Sequence, residues 1–79
     1  MNTAYLSLDT LPIGATGRVT ALSATGNERR RFLDLGVVCG TEISALHKSP
    51  SGDPIAYSIR GAVIALRHDD AKKITVISV

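Results

Sequence analysis

Two rhythms run along this chain. In several short runs hydrophobic residues recur at every second position, the period of a strand, and between them lies one basic stretch that follows helical spacing. The first run, Arg18-Val19-Thr20-Ala21-Leu22, alternates around a β-branched centre and is entered through Gly14-Ala15-Thr16-Gly17. Ser23 to Asn27 is polar, and Asn27 is placed as an N-cap whose side-chain oxygen accepts from the free N–H groups of the next turn. The pattern predicts a helix from about Glu28 to Leu35. Glu28 stands at its positive end, Phe32, Leu33 and Leu35 supply a short apolar face, and Gly36 offers the left-handed residue that closes such helices. A helix of two turns does not persist alone, so packing must hold it.

Alternation resumes in Glu42-Ile43-Ser44-Ala45-Leu46-His47, with Ile43, Ala45 and Leu46 as its apolar members, and in Ile55-Ala56-Tyr57-Ser58-Ile59, with Ile55, Tyr57 and Ile59 on one face. These read as antiparallel strands joined by Ser49-Pro50-Ser51-Gly52-Asp53-Pro54. In that connection proline fixes φ, glycine supplies a positive φ and aspartate a local side-chain hydrogen bond. Gly61 interrupts the second strand, and Ala62 to Leu66 forms a third. Arg67 to Lys72 is polar enough for a loop or one helical turn, and the β-branched run Ile74 to Val79 ends the chain as a strand. About five strands and one short helix in so small a chain predict a sheet bent until it closes on itself. The expected class is mainly β with one or two short helices, a small SH3-like β-barrel, and closure would leave no edge strand exposed.

Size and composition narrow the picture. Seventy-nine residues leave room for one domain, expected over 1–79 with its core from about residue 8. Such a chain buries only roughly 60% of its unfolded surface, so little core is left in which to hide a catalytic cleft. Hydrophobic residues make up 44% and charged ones 20%, the balance of a folded module and not of a disordered tail. The longest apolar run, Ala62 to Leu66, is far short of a membrane span, and Met1 to Thr10 lacks the basic start and apolar stretch of a signal peptide. A single cysteine, Cys39, is compatible with a reducing compartment, and the reading is cytoplasmic. A net charge of +2 is a mild basic excess, short of a nucleic-acid footprint.

Arg29, Arg30 and Arg31 are the first candidate for chemistry. Three consecutive arginines on a helix face at least two directions, and their guanidinium forks suit carboxylates or phosphates; the alternative is a solvated face that keeps the domain soluble. His47, His68, Cys39, Asp69 and Asp70 are the available soft or borderline metal ligands, but their spacing is not a metal motif, so no metal site is assigned. Cys39 reads as a small buried filler and not as a nucleophile. Gly52-Asp53-Pro54 and Arg60-Gly61 are accounted for by turn geometry, and Gly14 and Gly17 lack the lysine and following helix of a phosphate loop. No nucleophile with a base, no carboxylate pair and no cofactor motif is present, so no catalytic residue is assigned and no enzyme is expected. Aromatic platforms for stacked bases are missing too: Tyr5, Tyr57 and Phe32 are the whole aromatic inventory.

The run Arg29-Arg30-Arg31-Phe32-Leu33-Asp34-Leu35-Gly36, the exit Val37-Val38-Cys39-Gly40, and the hairpin Ser49 to Tyr57 with Arg60-Gly61 together resemble the FeoA family, ferrous iron transport protein A, over about Leu8 to Val79. One departure is Cys39, which stands where the family usually has proline. The resemblance implies an SH3-like barrel, cytosolic and without cofactor, that binds the membrane ferrous-iron transporter FeoB on its cytoplasmic side and modulates it. The implied contact residues are Arg29, Arg30, Arg31 and Arg60, with weak self-association left open. The same fold ends iron-dependent transcriptional repressors, but no DNA-binding helices precede it in this sequence. The alternatives are a small basic nucleic-acid-binding barrel and a metal-responsive regulatory domain.

Overall fold

The computed structural model describes residues 4–79, so the first three residues of the segment inspected for a leader lie outside it. The elements follow in the order β1 (Tyr5–Ser7), a 3₁₀ turn (Leu8–Thr10), β2 (Thr16–Leu22), α1 (Gly26–Asp34), β3 (Glu42–Lys48), β4 (Ile55–Ile59), β5 (Ala62–Leu66), α2 (His68–Ala71) and β6 (Ile74–Ser78). The strands form one antiparallel sheet in the order β1-β6-β2-β3-β4-β5. The expected helix, hairpin and last four strands are all present, and β1 is an addition. Gly17, expected in the turn before the first strand, lies inside β2.

The inward positions of every long strand meet in a single apolar core. Val19, Ile43, Ala45, Ile55, Tyr57, Ile59, Leu66, Ile74 and Val76 come from the sheet, and Phe32 of α1 and Leu8 of the 3₁₀ turn join them. Full burial of Phe32 contributes about 2–3 kcal/mol, enough to hold a helix that would not survive on its own. The sheet bends through two bulges, between Val19 and Ala21 in β2 and between Ala45 and His47 in β3. The second corrects one expectation: the extra residue is Leu46, which is thereby turned outward.

A second correction concerns closure. Among the described residues the hydrogen-bonded ladder does not return on itself, and β1 and β5 are both edges. The 3₁₀ turn after β1 and the helix after β5 meet instead across the break, where Asp9 Oδ2 lies 3.3 Å from His68 Nδ1. The Tyr57 hydroxyl donates to the Leu8 carbonyl at 3.3 Å from the inner side. Asp53 differs from expectation as well: its carboxylate accepts the backbone N–H of His68 at 2.9 Å, capping α2 from fifteen residues away, and makes no local turn bond.

Candidate functional site

α1 begins earlier than the capping pattern implied. Thr25 occupies the N-cap position without a side-chain cap bond, Arg29 N–H donates to Thr25 O at 3.3 Å, and Asn27 lies within the first turn. What holds this end is tertiary: Lys73 Nζ sits 2.8 and 2.7 Å from the two carboxylate oxygens of Glu28. Phe32 is buried and Leu35 half-buried, but Leu33, about 100° round the helix from Phe32, is exposed.

The three arginines fan out to different tasks. The Arg29 guanidinium donates to the Leu22 carbonyl at 3.3 Å, and Arg31 pairs with Asp70 at 3.1 Å. Arg30 is exposed and has no ion-pair or hydrogen-bond partner among the described residues. The triplet is therefore one free cation and two that brace the helix against the sheet and α2.

The helix exit is a closed hydrogen-bonded unit. Gly36 N–H donates to Leu33 O at 3.0 Å and Val37 N–H to Phe32 O at 2.9 Å, with Gly36 at φ 95°, so the last carbonyls are satisfied by the paired bonds of a Schellman turn. Thr41 Oγ1 adds a bond to Gly36 O at 3.0 Å. Arg60 lies over this glycine. It is the first residue of the two-residue turn between β4 and β5, and it holds φ 51°, a conformation that asparagine or glycine adopts at lower cost. Arg30 and the Arg60–Gly36 contact are separated by fewer than two helical turns along α1.

Cys39 is exposed, with Sγ 3.4 Å from the Thr20 carbonyl, which overturns its reading as a buried filler. The reason is local: Gly40 N–H is tied to Val19 O at 2.8 Å, and the turn this makes carries Val38, Cys39 and Gly40 outside the core while Val37 enters it.

The candidate metal ligands do not assemble. Among the described residues no three histidine, cysteine, aspartate or glutamate side chains converge on a point. His47 lies on β3, His68 faces Asp9, Asp69 pairs with Lys72 at 3.5 Å and Asp70 with Arg31. No described hydroxyl or thiol hydrogen-bonds a histidine or a carboxylate side chain. Among the described residues Tyr57 is the one strongly perturbed group: burial, then the charges of Asp9 and Asp53, push its hydroxyl up to about 12. Sequence reading missed the Asp9–Tyr57–Asp53–His68 grouping, whose members are scattered over the chain and brought together only by the break in the sheet.

A bent antiparallel sheet with a short basic helix at its side places the molecule among small barrel-like β domains. A solved FeoA of Stenotrophomonas maltophilia, complexed with zinc and described as a prokaryotic SH3 domain protein, superposes at TM-score 0.80 with 29% identity over 90% of this chain and 88% of that one. The fold is thus SH3-like. The family model for the FeoA domain matches residues 6–78, and the chain belongs to the FeoA family. FeoA of Chlorobium tepidum superposes at TM-score 0.87 with 35% identity, covering 94% of this chain and 70% of that one. A curated relative, the Fe(2+) transport protein A/Fe(2+) transporter FeoB fusion protein of Porphyromonas gingivalis, is 32% identical over 71 residues. That match spans 90% of this chain and only 8% of the fusion protein.

Proposed function

We propose that this protein is a cytoplasmic accessory of ferrous iron uptake that binds a FeoB-type transporter and modulates it, without being an enzyme itself. The observation that carries the reading is the Porphyromonas relative, in which a protein A part and a FeoB transporter are one chain. Fusion holds two partners at high effective concentration, which is of use when they act together. The Stenotrophomonas relative, for which a role as a ferrous iron transport activating factor has been suggested, points the same way. Among the described residues no helix is long and apolar enough to cross a membrane, so the domain would meet the transporter from outside the bilayer.

The arginines supply the contact in this reading. Arg30 is unpaired and exposed, and Arg60 occupies a turn position where a less strained residue would serve, so a role outside the fold would explain its presence. Arg29 and Arg31 contribute less, being committed to Leu22 and Asp70. Modulation follows from differential binding: the adaptor favours whichever transporter conformation it binds more tightly.

The test is calorimetric titration of the domain into full-length cognate transporter in detergent, at two salt concentrations. Arg30→Glu and Arg60→Asn should each weaken binding without loss of fold, since Asn-Gly suits the turn. Arg31→Glu is unsuitable because it breaks the Asp70 pair. Unchanged affinity in both variants would remove the arginine surface from the reading, and no binding by the wild type would remove the partner.

A further inference from the structure

β5 uses only one side of its backbone. The two-residue turn Arg60-Gly61 makes Ile59 and Ala62 the hydrogen-bonded closing pair, and bonded and non-bonded pairs alternate along an antiparallel ladder. Tyr57–Ile64 and Ile55–Leu66 are then the other bonded pairs, which leaves N–H and C=O of Val63 and Ala65 pointing away from β4. Among the described residues no strand and no loop backbone meets them.

Folded proteins blunt such an edge with a lysine, a proline, a bulge or a covering segment. Among the described residues β5 has none of these. Ala62-Val63-Ile64-Ala65-Leu66 is uncharged, its register with β4 runs without a shift, and Val63 is 68% exposed. The opposite edge, β1, offers only three residues.

The surroundings indicate what would pair with it. On the outer face of the sheet, beside β5, a groove of about 340 Å³ is lined by His47, Lys48, Ser49, Pro50, Ala56 and Ala65. Ser49 Oγ is buried there without a hydrogen-bond partner. Arg60 and Arg67 bracket the strand, and Arg67 is 74% exposed although it reaches Asp53 at 3.8 Å. Positive groups at both ends and on the groove rim, with no carboxylate lining the groove, match an acidic partner. They disfavour a second copy of this chain. Two-fold antiparallel pairing centred on Val63 or Ile64 sets Arg60 of each copy opposite Leu66 or His68 of the other and Arg67 opposite Ile59 or Gly61, so neither arginine meets a carboxylate across the ladder.

We propose that the β5 edge is a strand-addition site for an extended segment of the transporter's cytoplasmic part, apolar at its centre with carboxylates on either side; this rests on the adaptor reading above. The segment's backbone bonds to Val63 and Ala65, its flanking carboxylates meet Arg60 and Arg67, and an outward side chain lies over Ala65 at the near rim of the groove. Main-chain bonds supply affinity and the charged ends set the register.

Val63→Pro tests this without disturbing the domain's own ladder, because the N–H it removes points outward. Calorimetry of wild type and Val63→Pro with full-length cognate transporter in detergent should show binding weakened at least tenfold, with the melting temperature of the free domain kept within a few degrees. Hydrogen exchange of the wild type needs no variant: the Val63 and Ala65 amides should slow at least tenfold when the transporter is added. Equal affinity of the two proteins, or unprotected Val63 and Ala65 amides in the complex, would overturn strand addition and leave the adaptor reading standing. A wild-type domain that does not bind would overturn both. Self-association abolished by Val63→Pro would replace the acidic segment with a second copy as the occupant and overturn the proposal.

Discussion

Arg60 lies across Gly36 so closely that a β-carbon on the glycine would stand 2.5 Å from Arg60 Cδ and 3.2 Å from Cγ. A single contact therefore couples the exit of α1 to the β4–β5 turn, and both residues hold positive φ, 95° and 51°. Gly36→Ala should lower stability by about 1–2 kcal/mol, mostly from forcing alanine into the left-handed region. Urea unfolding measures it. Adding Arg60→Ala should recover little, because the arginine chain can move aside but φ cannot; full recovery would assign the cost to crowding instead.

Gly17 makes a tighter approach with a stiffer neighbour. A β-carbon there would lie 2.7 Å from Val76 Cγ2 and 2.9 Å from Val76 Cβ, and Val76 is β-branched and fully buried. Gly17→Ala should cost about 1–3 kcal/mol by overpacking. Combined with Val76→Ala, it should cost less than the sum of the single changes by at least about 0.5 kcal/mol. Additive costs in a double-mutant cycle would show that the two positions do not interfere.

The buried Tyr57 hydroxyl predicts an alkaline limit to stability. Its folded value of about 12 lies above the ordinary 10.0, so the unfolded chain releases this proton first. Below pH 10 both states are neutral and the group contributes fully; as pH rises from 10 towards 12 the unfolded state binds fewer protons and stability falls. The loss is on the order of 2–3 kcal/mol across that window. Tyr57→Phe should flatten this part of the profile while costing about 1 kcal/mol at pH 7 through the lost bond to Leu8. A profile with the same slope in both proteins would contradict the assignment.

The long strands, the hairpin and the helix were legible because each states its period within five or more residues, and Ile55, Tyr57 and Ile59 face inward as their spacing implies. β1 was not: Tyr5-Leu6-Ser7 is too short to show a period, and its existence depends on pairing with β6. The outward turn of Leu46 was not legible, because a bulge is a property of two strands in register and only one can be read locally. The helix start was misplaced for a similar reason. Asn27 has the chemistry of a cap, but the first turn is positioned by Glu28 and Lys73, 45 residues apart. In the candidate site the arginine triplet was plain from composition, whereas the inequality of its members was not, since it depends on where Leu22 and Asp70 arrive.

The place of β6 between β1 and β2 has a consequence for synthesis. Both neighbours are made long before it, and neither can complete its pairing, nor Val19, which stands opposite Val76, its burial, until residues 74–78 have left the ribosome. A nascent chain halted short of this strand would leave β1 without its partner strand and one edge of β2 open, so the domain is built to fold in one late step and not progressively from its N-terminus.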